Sequence, residues 1–139
     1  YNSTKPAVGF IRGMGLKEGA IATTIAHDSH NIICVGVSDD DIASAVNTII
    51  SLKGGLCVFH QGRATTLELP IAGLMSSMDV ADTAAQYAKL ENVSREMGSR
   101  LKSPFMTLSF MALVVIPELK LSDRGLFSSK NFDFVDLYL

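Results

Sequence analysis

Five consecutive residues, His27-Asp28-Ser29-His30-Asn31, carry two of the chain's three histidines, a carboxylate, a hydroxyl and an amide. Imidazole, hydroxyl and amide groups each donate or accept a hydrogen bond, and a carboxylate accepts from N–H groups. That set suits recognition of a polar heterocycle. A carboxylate beside an imidazole also favours the charged ring, which would let His27 or His30 carry a proton. Two other uses compete for the same residues. Asp28 and Ser29 can hydrogen-bond their own backbone in a tight turn, with the histidines at the strand ends. A metal site would need His27, Asp28 and His30 plus a distant carboxylate, and a three-residue His spacing around a carboxylate is a weak metal signal between strands.

The elements that must hold this stretch are apolar and β-branched on both sides. Residues 20–25 read as a strand before it and residues 31–37 as a strand after it, the latter apolar on both faces and so expected at the centre of a sheet. A further strand is expected over residues 7–12, joined through Gly13, Gly15 and Gly19, whose spacing does not fit a dinucleotide fingerprint. After residue 37, Ser38 with Asp41 reads as a capping box, and Asp39, Asp40 and Asp41 crowd the first turn, where the helix dipole favours negative charge. Ile42, Ala45, Val46, Ile49 and Ile50 then give one apolar helix face, ended by Lys53 and Gly54.

A hairpin is expected from residues 56–59 and 63–69 around Gln61-Gly62, with His60 as an exposed turn residue. Residues 79–97 read as a second amphipathic helix with an outward Glu91/Arg95 pair. Ser103-Pro104 opens a third helix over residues 105–116, apolar nearly all round and so buried, with Pro117 ending it. Short strands near residues 118–121 and 132–135 close the chain. The order predicts a single α+β domain over residues 1–139, a mixed β-sheet system with about three packed helices.

Bulk properties narrow the function. A chain of 139 residues can bury about 68% of its unfolded surface, enough to fold without staples. Its net charge of −2, without a basic block, argues against nucleic-acid binding. The longest apolar run, residues 105–116, falls well short of the ~20 residues a membrane span needs, so no membrane partner is expected. Cys34 and Cys57 lie in apolar runs and read as buried cytosolic thiols rather than a disulfide. Asn2-Ser3-Thr4 and Asn92-Val93-Ser94 read as chance glycosylation patterns. No nucleophile elbow, P-loop, H-E-x-x-H, H-x-H pair or zinc-deaminase signature is present. The chain starts at Tyr1 rather than Met, and we read it as a piece of a longer polypeptide.

Several blocks resemble a known family. Gly9-Phe10-Ile11-Arg12-Gly13, Gly15-Leu16-Lys17-Glu18-Gly19-Ala20 and Ala26-His27-Asp28-Ser29-His30-Asn31-Ile32-Ile33 look like the start of the C-terminal domain of bacterial adenine deaminase. Leu69-Pro70-Ile71-Ala72-Gly73-Leu74-Met75-Ser76, Pro104-Phe105-Met106-Thr107-Leu108-Ser109-Phe110 and Ile116-Pro117-Glu118-Leu119-Lys120-Leu121 continue the likeness in order over nearly the whole chain. Tyr1-Asn2-Ser3-Thr4-Lys5-Pro6 departs from the histidine- and glycine-containing approach of that family, so no histidine role is carried over there.

The resemblance implies a parent of the amidohydrolase superfamily that hydrolyses adenine to hypoxanthine and ammonia. It also implies a (β/α)₈ barrel holding a manganese or iron centre and an acid–base carboxylate, outside this sequence. No catalytic residue and no metal ligand is then expected in the chain itself, and the isolated chain is expected to be inactive. His27, Asp28, Ser29, His30 and Asn31 become candidate substrate-binding residues, because barrel active sites lie at a loop-bearing face that an appended domain can close. The expected partners are adenine, the barrel and further copies of the chain in a homo-oligomer, in the cytoplasm. The alternative is a non-catalytic module that stabilises the barrel or builds the oligomer.

Overall fold

The computed structural model describes residues 5–138. Residues 1–4 of the departing approach, with the Asn2 glycosylation pattern, lie outside them. The elements run β1 (Ala20–Thr23), β2 (Ile33–Gly36), α1 (Asp39–Leu52), β3 (Gly55–His60), β4 (Arg63–Glu68), α2 (Val80–Glu96), α3 (Pro104–Phe110), β5 (Leu119–Ser122), β6 (Gly125–Ser128) and β7 (Asp133–Val135). This is the α+β arrangement with three helices that the element order predicts.

The strands make two sheets, ordered β2-β1-β3-β4 and β5-β6-β7, and their pairings are antiparallel rather than mixed. The reason lies in β1. Strands β2 and β3 run parallel, as a crossover through α1 requires, but β1 lies between them and pairs antiparallel with both. The parallel relation is present without a parallel ladder.

Side-chain alternation splits the core across the larger sheet. Ala20, Ala22 and Cys57 face α1, where Ala45 and Ile49 are buried. Ile21, Leu56, Val58 and Leu67 face the other way, onto Leu90 of α2, Met97 at its C-cap, and Phe105 and Leu108 of α3. Covering both faces with helices leaves β1, β2 and β3 apolar on both sides, while β4 (Arg63–Glu68) stays largely polar. That explains why β2, apolar on both faces and expected at the centre, is instead an edge strand.

Caps follow the residue types. Ser38 Oγ accepts from the Asp41 backbone N–H at 3.2 Å and donates to the Asp41 carboxylate at 2.7 Å, and Asp79 caps α2 through the Asp82 N–H at 3.0 Å. Lys53, not Gly54, takes the left-handed position that ends α1. The β3–β4 hairpin turns at Gln61 and Gly62, both at positive φ as a two-residue primed turn needs. His60 is the last residue of β3 and half-buried rather than exposed, its Nε2 3.2 Å from Glu18 Oε1 without hydrogen-bond alignment.

Three expectations about chain length and pairing change. Residues 7–12 form no strand: Gly9 interrupts them, and they pass over Leu121 and Leu126 without joining a ladder. Helix α3 stops at Phe110 instead of residue 116, because Val114, Val115 and Ile116 are poor helix formers and the Met111 carbonyl accepts the Leu121 N–H at 2.9 Å. The smaller sheet gains β6, which begins at Gly125, the last residue of the expected Asp123-Arg124-Gly125 turn. In α2 only the C-terminal half packs inward, and Val80, expected on the core face, is 86% exposed.

Cys34 and Cys57 are free thiols. Both stand opposite Ala22, one strand to each side. Two strand spacings, about 10 Å, exceed the roughly 7 Å limit for a disulfide. Burial, with a smaller contribution from Cys57, pushes Cys34 up to about 12. Burial pushes Cys57 up to about 11 against a lowering contact with Thr48. An acid whose pKa is raised on folding holds its proton more tightly when folded. Its stabilising contribution is complete below the ordinary value of 9.0 and is lost as pH rises toward 11–12. The melting temperature is therefore expected to fall above pH 9 and to fall less steeply in Cys34→Ala. Identical slopes for the two proteins would count against this assignment.

Candidate functional site

Three connections at one end of the larger sheet join the four strand ends beside His27–Asn31. Strand β1 ends there, β2 and β3 begin there and β4 ends there. Residues 24–32 make the connection between β1 and β2, anchored by buried Ala26. The His30 N–H donates to the Ala26 carbonyl at 2.7 Å, closing a single turn with His30 at φ 49°. The His27–Asp28 peptide is cis. Asp28, Ser29 and His30 are exposed, while His27 and Asn31 are half-buried.

Helix α3 supports the turn from one side. The His27 N–H points to the Ser109 carbonyl at 3.4 Å, and the His27 ring lies 5.1 Å from the Phe110 ring at a 37° tilt. The His27 and His30 rings meet edge-on at 6.1 Å. Ser109 Oγ is buried without a hydrogen-bond partner among the described residues. Among those same residues, none of the side chains of His27, Asp28, Ser29, His30 and Asn31 makes a hydrogen bond. The backbone closes the turn by itself. A self-satisfied polar turn would have consumed Asp28 and Ser29 as local acceptors, and this one leaves them displayed.

Thr24 ties a second loop to the site. Its hydroxyl donates to the Gly73 carbonyl at 2.5 Å and accepts from the Gly55 N–H at 2.9 Å. The 70–75 turn is thereby fixed at the same sheet end, closed on itself by Ile71 and Met75. Thr24→Val keeps the shape and removes both bonds. It is expected to cost about 2 kcal/mol, since a buried donor and acceptor lose their partner. Denaturant unfolding checks this, and an unchanged midpoint would show the tie to be idle.

The structure brings the five sequence-derived residues together but leaves His60 out. His60 ends β3 at the opposite end of the sheet, beside Glu18. Among the described residues no three His, Cys, Asp or Glu side chains converge as a metal set. The manganese or iron centre that the resemblance implies therefore does not fit these residues. Thr24, Gly73, Ser109 and Phe110 are site residues that the sequence reading did not single out. Gly73, Ser109 and Phe110 lie in matched blocks far along the chain from the histidine block and Thr24 in none, so only the long-range contacts bring them together.

A separate groove of about 660 Å³ runs beside the free edge of β2, between Phe10, Val35, Met111 and Leu121. It is mainly apolar, and the five polar residues do not line it.

Comparison with known proteins identifies the family of the chain. The family model for the adenine deaminase C-terminal domain matches residues 1–133. The chain is 58% identical to an adenine deaminase of Sulfurovum sp. (strain NBC37-1) over 137 residues, covering 98% of the chain and 26% of that protein. It is 53% identical to an adenine deaminase of Methanosarcina acetivorans over 138 residues, covering 99% of the chain and 25% of that protein. An adenine deaminase of Borreliella burgdorferi is 49% identical over 136 residues, 97% of the chain and 25% of that protein. The chain thus spans about a quarter of the length of these relatives. By the family match over residues 1–133 and these identities, the chain belongs to the adenine deaminase C-terminal domain family.

Proposed function

We propose that this domain serves an enzyme that hydrolyses adenine to hypoxanthine and ammonia, and that His27, Asp28, Ser29, His30 and Asn31 line or close its purine site. One observation carries the reading: five polar side chains stand at a sheet end that backbone and Thr24 bonds have already made rigid, and none is consumed by the turn. Such groups match a purine, whose ring nitrogens and exocyclic amine offer both acceptors and donors. The domain's own residues bind, orient and exclude water. The manganese or iron centre belongs to the barrel, and no step is assigned to it through these residues. The test is ammonia release from adenine by the full-length parent, with residues 1–139 assayed beside it. Turnover by the parent and none by residues 1–139 supports the reading. A parent inert toward adenine would refute it.

A second reading has its own observation. Phe10, Val37 and Leu119, 83%, 54% and 51% exposed, together line the apolar groove beside β2. Large exposed apolar side chains mark association surfaces when they cluster. A module that only builds the assembly would shift melting temperature or oligomer size on substitution of His27, and leave kinetics alone.

A further inference from the structure

We infer that Phe110 is a purine-stacking residue of the same site, with Met106 extending its surface; the inference rests on the purine-lining role of His27–Asn31. Phe110 closes α3 and is 37% exposed, although α3 otherwise buries its aromatic and leucine side chains, Phe105 and Leu108. Its ring is held rather than loose: the tilted contact with the His27 ring fixes one side, and the His27 N–H to Ser109 carbonyl contact fixes the backbone beneath it. Met106 lies one helical turn earlier, four residues away on the same face, and is also exposed.

The pattern therefore sets an apolar aromatic surface against a strip of unconsumed polar side chains. That is the pair of surfaces a planar nitrogen heterocycle needs. A nucleobase presents a flat π face, which stacks on an aromatic ring independently of base identity, and a polar edge, which is read by hydrogen bonds. Phe110 takes the face, and the polar groups beginning at His27 take the edge. Residues 108 and 110 lie on opposite sides of the helix, so α3 turns Phe110 and Met106 away from the face that buries Leu108 and toward the His27 turn.

The test uses the full-length enzyme. Phe110→Ala is expected to raise KM for adenine about tenfold, the order expected when one base loses an aromatic stacking partner, with kcat changed less than about twofold. Inhibition by hypoxanthine, which reads binding without turnover, is expected to weaken by a similar factor. Phe110→Tyr is expected to restore both values, and Phe110→Leu, which keeps the apolar volume, is not. An unchanged KM and inhibition constant in Phe110→Leu overturns the stacking role, as does a lowered melting temperature with unchanged binding in Phe110→Ala. Assaying His27→Ala and His30→Ala in parallel separates the two claims. If these impair the enzyme while Phe110 variants do not, the stacking inference alone fails. If all of them leave kinetics intact, the purine-lining role itself fails.

Discussion

His27→Ala and His30→Ala, each introduced into the full-length parent, are expected to lower kcat/KM for adenine by roughly 10- to 100-fold. Removing one partner of a hydrogen bond in a closed site leaves the other unsatisfied at a cost of about 1–3 kcal/mol, and each 1.36 kcal/mol is tenfold in rate. The backbone closure of the turn does not depend on either ring, because the Ala26–His30 bond is made by main-chain groups. Folding should therefore survive both substitutions. The His27 variant is expected to have the larger effect on KM, since its ring is half-buried and in tilted contact with Phe110. The exposed His30 should act more on turnover, by helping to exclude water on closure. Steady-state kinetics with circular dichroism as a folding control measure both. Wild-type kinetics with a shifted melting temperature would instead favour the assembly module.

The second large effect is on stability. Gly54 has φ +134°, and a Cβ placed there would lie 2.5 Å from Gly73 Cα and 3.0 Å from the Leu69 carbonyl oxygen. Both neighbours are backbone, so neither can swing aside as a side chain would. Gly54→Ala combines a backbone conformation costing roughly 1–3 kcal/mol with an overpacking cost of similar size. It is expected to lose at least ~3 kcal/mol and to push away the 70–75 turn that Thr24 holds. Gly62→Ala provides the comparison. Its φ is +73°, but nothing lies within 4 Å of the added Cβ, so a cost near ~1 kcal/mol is expected. Equal unfolding midpoints for the two variants would mean that the close approach of residues 54 and 73 is not needed.

What the amino-acid sequence revealed, and what it hid, follow from the range of the interactions. Helix caps are local, and Ser38 and Asp79 show them with an oxygen and an N–H three residues apart. The Gln61-Gly62 turn is equally local. Position within a sheet is not. The apolar faces of β2 reported that helices cover both sides of the sheet, and said nothing about which strand lies at its edge. The length of α3 depended on Leu121 reaching the Met111 carbonyl, a contact ten residues away in the chain.

The candidate site divides in the same way. His27 through Asn31 were visible because five polar residues interrupt an apolar stretch. Thr24 sits inside that stretch as one more β-branched strand residue, and its tie to Gly73 spans 49 positions. Phe110 read as core because it belongs to an apolar run. Only the early end of α3 shows that its ring is turned toward His27.

The most direct measurement is a crystal structure of the full-length parent with adenine or hypoxanthine bound. A purine-lining role predicts that at least one side-chain atom from His27, Asp28, Ser29, His30 or Asn31 lies within hydrogen-bond distance of the base, about 2.7–3.2 Å. A base bound with all five side chains beyond reach, and no water linking them to it, would contradict that role.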